Sequence, residues 1–255
     1  MTSVPVLPVS SIRDLTILDI GDGRVVIIAC DSVGSIGPKP HDVFAASAAL
    51  TAHCALRVPL LELIAAGGQP EVIINALSVE MEPTGAAMIA EFRRVASTIG
   101  LSAERVTGST EDNVPTMATG VGVTVIGSAM RSELRAGRGN AGDVVLVLGA
   151  PTSAPGDDIT MEDERMVAIS TLSDVVAIDG VHDALPVGSH GLAWELKLLA
   201  ATAGLTFEEA EHGWDMTKSG GPASCVLVAV DPADVDSVLA VLPASLPHTT
   251  LGVLR

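Results

Sequence analysis

The chain has 255 residues and a formal net charge of −17, with only 14 Lys and Arg. Nucleic acid and anionic membrane surfaces are held by clustered basic side chains, and the densest group here is Arg131, Arg135 and Arg138, so neither is expected as a partner. Aromatic residues make up 2% and Tyr is absent, so a core for one large domain or two smaller ones must be built from Val, Leu, Ile, Ala and Met.

Residues 1–13 read as a loose start carrying Pro5 and Pro8. Leu15–Ile20 and Arg24–Cys30 then read as strands of a hairpin, because Asp22-Gly23 sits between two apolar runs. The second strand runs into Asp31-Ser32 and a Gly-rich loop to Pro40. Residues 45–66 predict a helix with a break or fresh start at Pro59, stopped by Gly67-Gly68-Gln69-Pro70. Residues 72–79 predict a strand. The spacing of Met88, Phe92, Val95 and Ile99 predicts a helix over 84–99, capped by Thr84 and ended by Gly100. A polar segment, 106–113, precedes a buried strand at 119–126. The uncharged run Asn113–Met130 is long enough to span a membrane, but Pro115, Gly120, Gly122 and Gly127 argue for the strand instead.

Residues 132–142 read as a linker, which divides the chain into lobes at 12–131 and 142–245. In the second lobe, strands are expected at 143–148, 174–178 and 224–230. Helices are expected at 163–171, at 191–203, and from Pro232 to Leu242 with Asp231 as cap. The fold class is α/β (α+β). Cys30, Cys54 and Cys225 are far apart in apolar stretches and read as small core residues, with no call for an oxidising compartment. No basic stretch leads an apolar one at the N-terminus, so a cytoplasmic location is expected.

The chemistry is expected at strand ends. Asp22, Asp31, Glu62, Glu80, Glu82 and the run Ser109-Thr110-Glu111-Asp112-Asn113 offer carboxylates and hydroxyls from separate loops. Such hard oxygen donors suit Mg²⁺ shared with phosphate. A chain this acidic can hold ATP only if metal ions or backbone donors screen the phosphates, so magnesium is part of the expectation. Asp31 stands out, because it directly ends an apolar strand. Loop His182-Asp183 and the turn before Gly191 could contact substrate. There is no Walker A, GxSxG, HExxH or EF-hand pattern, and Gly120-Val121-Gly122 fails the dinucleotide fingerprint.

The order of these pieces resembles the superfamily of aminoimidazole ribonucleotide synthase, thiamine-monophosphate kinase, selenide water dikinase and the hydrogenase-maturation dehydratase. Ile20-Gly21-Asp22-Gly23 is similar to its Gly-Asp-Asp segment, and Cys30-Asp31-Ser32 to its metal-binding strand end. The stretch from Glu62 to Pro70 is similar to its Asp-Ile-Ala-Ala-Met-Gly helix, and Thr107-Gly108-Ser109-Thr110 stands where Gly-Gly-Asp-Thr is found. His182-Asp183 and Gly191-Leu192-Ala193 resemble its His-Asp and Gly-Gly-Leu-Ala elements. Ala29 to Ser32, Leu77 to Gly85 and Gly108 to Gly127 are most similar to the alpha-ribazole kinase branch.

The resemblance implies a two-lobed fold of the aminoimidazole ribonucleotide synthase type. Its N-terminal lobe dimerises through its sheet and binds Mg-ATP, and an α/β sandwich lobe closes the cleft. It implies ATP-dependent phosphorylation of the 5′-hydroxyl of alpha-ribazole or a similar nucleoside-like alcohol. An ATP-dependent ligase or cyclase, or a non-catalytic nucleotide-binding member, are the alternatives. The expected metal ligands are Asp22, Asp31 and Glu62. Asp31, Glu111 and Asp112 are expected in catalysis, with Asp22, Gly108, Ser109, Thr110 and Asn113 on the nucleotide. Glu80, Glu82, His182 and Asp183 are expected on the substrate.

Overall fold

The computed structural model describes residues 6–255, so Pro5 of the expected loose start lies outside the described residues. In chain order the strands are β1 (Val9–Ile12), β2 (Leu15–Gly21), β3 (Arg24–Gly34), β4 (Ile36–Gly37) and β5 (Phe44–Ala45), followed by helix α1 (Ala48–Ala65). Next come β6 (Gln69–Leu77), α2 (Ala86–Thr98), β7 (Val106–Ser109) and β8 (Gly120–Met130). The second half holds β9 (Val144–Leu148), α3 (Ile169–Val176), β10 (Val181–Pro186), α4 (Leu192–Thr202), β11 (Phe207–Glu209), β12 (Val226–Val230), α5 (Val235–Ala240) and β13 (His248–Leu254).

The first sheet runs in the order β1-β2-β3-β8-β6-β7 and the second in the order β10-β12-β9-β13-β11. The β2–β3 hairpin turns as the sequence predicts: Asp22 and Gly23 both have positive φ, the requirement of the tight hairpin turn that Asp-Gly supplies. Alternation sorts the faces of the first sheet. Val25, Ile27, Val121, Val123 and Val125 are buried beneath α1 and α2, while the intervening residues form an open face.

Helix α1 is the keystone. It packs on β3 and β8 of the first sheet and on α3 and β10 of the second half, so it is buried on nearly all sides. Pro59 lies inside it without ending it. An interior proline costs about 3 kcal/mol, and burial of this helix between the lobes outweighs that cost. This helix is also long and apolar enough to cross a membrane by length and composition, and 67% of the stretch is buried inside the molecule.

Three arginines tie the halves together. Arg57 of α1 is fully buried and donates to the carbonyls of Val167, Pro222 and Ala223. Burial without a carboxylate in contact draws its pKa down to about 10. Arg13 grips Asp183 with both Nη atoms, at 2.9 and 2.5 Å, and Arg135 donates to the carbonyl of Val181.

Several sequence expectations are corrected. The 106–109 stretch is a short strand rather than a loop, pairing in parallel with β6. Residues 174–176 belong to helix α3, not a strand: a short apolar run has no decisive period. The helix expected at 163–171 begins only at Ile169. Thr84 does not cap α2; its hydroxyl donates to Glu80 instead, at 2.6 Å. Of the three cysteines only Cys225 is buried; Cys30 is exposed on the open sheet face and Cys54 is half-buried.

Candidate functional site

A cavity of about 660 Å³ opens between the two halves of the molecule. One wall is α1, whose Leu50, Cys54, Val58 and Glu62 recur every four residues and so share one face. The end of β3 adds Asp31, Ser32 and Val33, and the loop through β4 and β5 adds Ile36 and Phe44. The opposite wall comes from the second half: Gly188, Ser189 and His190 before α4, then Trp194, Glu195 and Leu198 along it. A smaller pocket of about 40 Å³ lies behind, and Asp14, Glu62, Gly188 and Glu195 line both. That is room for an ion or a water molecule.

Four carboxylates therefore converge at the base of the cleft: Asp14, Asp31, Glu62 and Glu195. No Lys or Arg lines the larger cavity, and Arg13 in the smaller pocket is committed to Asp183. The electrostatic result is visible on three of the four. Burial, reinforced by Asp14, Asp31 and Glu195, pushes Glu62 up to about 8. Burial raises Asp31 as well, opposed by the Ser32 N–H and aided by Asp14. Glu195 is raised by burial, with the Gly188 N–H in opposition and Asp14 in support. Oε2 of Glu62 is buried and has no hydrogen-bond partner. A buried, unpaired carboxylate oxygen facing like charges is costly unless a cation or proton joins it.

The donor set is all carboxylate oxygen, which fits a hard divalent cation such as magnesium. Among the described residues, no three His, Cys, Asp or Glu groups stand close enough to enclose an ion alone. That also fits magnesium, which is commonly held by one or two carboxylates together with phosphate oxygens and water.

The sequence-predicted residues separate into two groups. Asp31 and Glu62 meet in the cleft. Asp22 does not join them: it is exposed in the hairpin turn at the other end of β3, and Arg24 to Asp31 alone spans about 23 Å of strand. Asp14 stands in its place. The register that pairs Thr16 with Ile28, carried two residues further, sets Asp14 opposite Cys30 and next to Asp31. Asp14 and Glu195 are the two cleft carboxylates that sequence reasoning missed.

The segment 108–113 lies at the same end of the sheet as Asp31 but on its far edge. Asp31, Val123, Asn75 and Gly108 form one row across four strands, about 14 Å from end to end. None of Gly108, Ser109, Thr110, Glu111, Asp112 and Asn113 lines the cleft. Asp112 instead accepts from the Met81 N–H and the Thr110 hydroxyl, and Glu111 from the Asn113 N–H. Glu80 is fully engaged nearby, with Lys39, Thr84 and Thr116 as donors. Burial would raise it, but those hydrogen bonds prevail and hold it at about 2. Glu82 is exposed beside it.

The other pair is redirected too. Asp183 is wholly buried in β10 and serves as the partner of Arg13 and the Gly137 N–H. His182 points to Asp143, with Nδ1 2.9 Å from its carboxylate. Neither lines the cleft.

No protein-family model matches the chain, and no curated protein matches it. Solved structures do. The chain superposes on the PurLQS structure from Thermotoga maritima with a TM-score of 0.69 at 17% identity, covering 98% of this chain and 43% of that one. Against thiamine-monophosphate kinase from Stenotrophomonas maltophilia K279a the TM-score is 0.66 at 19% identity, covering 95% and 86%. Against hydrogenase maturation protein HypE in complex with ATP it is 0.65 at 14% identity, covering 90% and 76%.

The fold is that of the aminoimidazole ribonucleotide synthase type.

The chain spans less than half the length of the PurL chain and most of the length of the kinase. At these identities the likeness is one of fold, and the site must be argued from its own residues.

Proposed function

We propose that this chain is an ATP-dependent small-molecule kinase that phosphorylates the 5′-hydroxyl of alpha-ribazole or a similar nucleoside-like alcohol by direct, magnesium-assisted transfer. The observation that carries this reading is the convergence of Asp14, Asp31, Glu62 and Glu195 on a cleft with no basic lining, with one carboxylate oxygen left unpartnered. A triphosphate cannot enter such a site bare; the site favours a phosphate that arrives with a cation. The fold is shared with proteins whose structures are a thiamine-monophosphate kinase and ATP complexes.

Asp14, Asp31, Glu62 and Glu195 are the groups that would hold magnesium, which when bound neutralises charge on the phosphate oxygens. The chain's own contribution is placement. The cleft walls come from both halves, so an acceptor and a nucleotide are held against each other and water is displaced from between them. The Ser32 and Ser189 hydroxyls on opposite walls are positioned to orient an alcohol or a phosphate oxygen. Glu62 and Glu195, both raised by burial, can take up a proton released at the acceptor hydroxyl.

We place a homodimer contact on the open face of the first sheet. Thr16, Ile28, Ile126 and Val72 form one row across it, and Cys30, Thr124 and Ile74 the next. A half-exposed apolar sheet face of this kind is satisfied by a second copy. Ile28→Lys is expected to give a monomer by light scattering.

Incubating the chain with MgATP and alpha-ribazole tests the reading. A stable phosphoester with magnesium-dependent ADP release supports it. ADP release with an amide or cyclised product would point to the ligase reading, and nucleotide binding without release to a non-catalytic member.

A further inference from the structure

The cleft has an acidic base, and the rest of it is apolar, with an aromatic pair on one wall. The chain has three Phe and two Trp in all, so where they stand is informative. Phe92 is buried under the first sheet, and Phe207 and Trp214 pack against the core of the second. The remaining two, Phe44 and Trp194, line the cleft. Trp194 is 56% exposed, the only aromatic side chain the fold leaves open. Its ring meets His190 with centroids 5.0 Å apart and an interplanar angle of 39°. Both line the cavity, one on α4 and the other in the turn that leads into it.

An indole left in water forgoes a large burial free energy, which a ligand face can recover. The position on the helix adds to this. Trp194 and Leu198 are one turn apart and share a face, and Glu195 beside them joins the carboxylates. One helix thus offers a flat apolar surface and an acid to the same cavity. The surface is also distant from the open sheet face assigned to self-association, since α4 belongs to the other half of the molecule.

We infer that Trp194, braced by His190, is the stacking surface for a planar heteroaromatic ring of the acceptor, and so sets substrate class for the cleft. This rests on the reading that the acceptor occupies the same cavity as the carboxylates. The ring lies on the indole while the hydroxyl-bearing part reaches the acidic base. An acceptor without a planar ring forfeits the contact.

The test is equilibrium dialysis of the full chain with benzimidazole ribonucleoside, without nucleotide or metal, and with D-ribose as the non-aromatic probe. Loss of a single stacking surface weakens ring binding roughly tenfold. Trp194→Ala is expected to raise the Kd for the nucleoside by about that factor, and Trp194→Phe to restore most of it. Binding of D-ribose should be the same in all three proteins. Trp194 is outside the core, and circular dichroism of the variants checks that they are folded. Quenching of Trp194 emission by the nucleoside in a Trp214→Phe background gives a second readout. The inference is overturned if Trp194→Ala binds the nucleoside as tightly as the natural chain, if the natural chain does not bind it, or if D-ribose binding falls equally. Magnesium-dependent ADP release on the same proteins keeps the two readings apart. If stacking fails while ADP release persists, only this inference falls. Trp194-dependent binding without phosphate transfer counts against the kinase reading alone.

Discussion

Glu62 and Glu80 are the same side chain in the same lobe, held in opposite ways. Glu80, at the edge near β7, is surrounded by donors from Lys39, Thr84 and Thr116 and lies at about 2. Glu62, at the base of the cleft, faces Asp14, Asp31 and Glu195, keeps one oxygen without a partner, and lies at about 8. A structural carboxylate is satisfied by its own chain. A binding carboxylate is left wanting, and the fold must carry that cost elsewhere. The buried ties through Arg13 and Arg57 run right beside the cleft and hold the two halves around it.

That contrast breaks most sharply at the tie itself. Arg13→Ala leaves Asp183 buried without its cation and is expected to cost about 3–5 kcal/mol of stability by denaturant unfolding. Asp31→Asn comes next: magnesium-dependent ADP release should fall about 100-fold or more, because an electrostatic partner of the transferred phosphate is lost. The apo protein should not lose stability, since one of four mutually repelling groups has been neutralised.

Glu62 makes a pH prediction. Its folded pKa is raised from 4.5 to about 8, so between those values the native state holds a proton that the unfolded chain has released. Its stabilising contribution is therefore full below pH 4.5 and is lost as pH rises through about 8. The metal-free Tm should fall over this window, Glu62→Gln should flatten the fall, and magnesium with a nucleotide should oppose it. Glu80 behaves in reverse: its folded pKa is lowered, so its contribution is present above pH 4.5 and is lost as pH falls towards about 2. Glu80→Gln should cost about 1 kcal/mol, with ADP release little changed. The smallest effect is expected at Asp22→Asn, which should alter ADP release by no more than about twofold, since it changes only an exposed turn.

How much of this was legible depended on whether a signal was local. The β2–β3 hairpin and the strand-end Asp31 could be read directly, because Asp22-Gly23 fixes a turn and Asp31 closes an apolar run. The same hairpin also misled. Its Asp22 imitates an acidic motif, while Asp14, the residue that reaches the cleft, sits unadvertised between Arg13 and Leu15. The missing step was register: a tight turn at 22–23 brings the start of one strand beside the end of the other, and so Asp14 beside Asp31. Glu195 carried no such clue. In sequence it is a polar position on a helix whose stripe is Leu192, Leu196 and Leu199, and only the packing of α4 across the cleft turns it inward. Asp183 was misread for the opposite reason: nothing local announces that Arg13, far off in sequence, will bury it.

The central claim is that the acidic base of the cleft, and not the 80–113 edge, holds a divalent cation together with phosphate. Manganese can stand in for magnesium and be counted by electron paramagnetic resonance, titrated in the presence of β,γ-methylene ATP. The account predicts bound manganese in the natural chain and in Glu80→Gln, and its loss in Asp31→Asn. Equal binding by Asp31→Asn and the natural chain, or loss confined to Glu80→Gln, would contradict it.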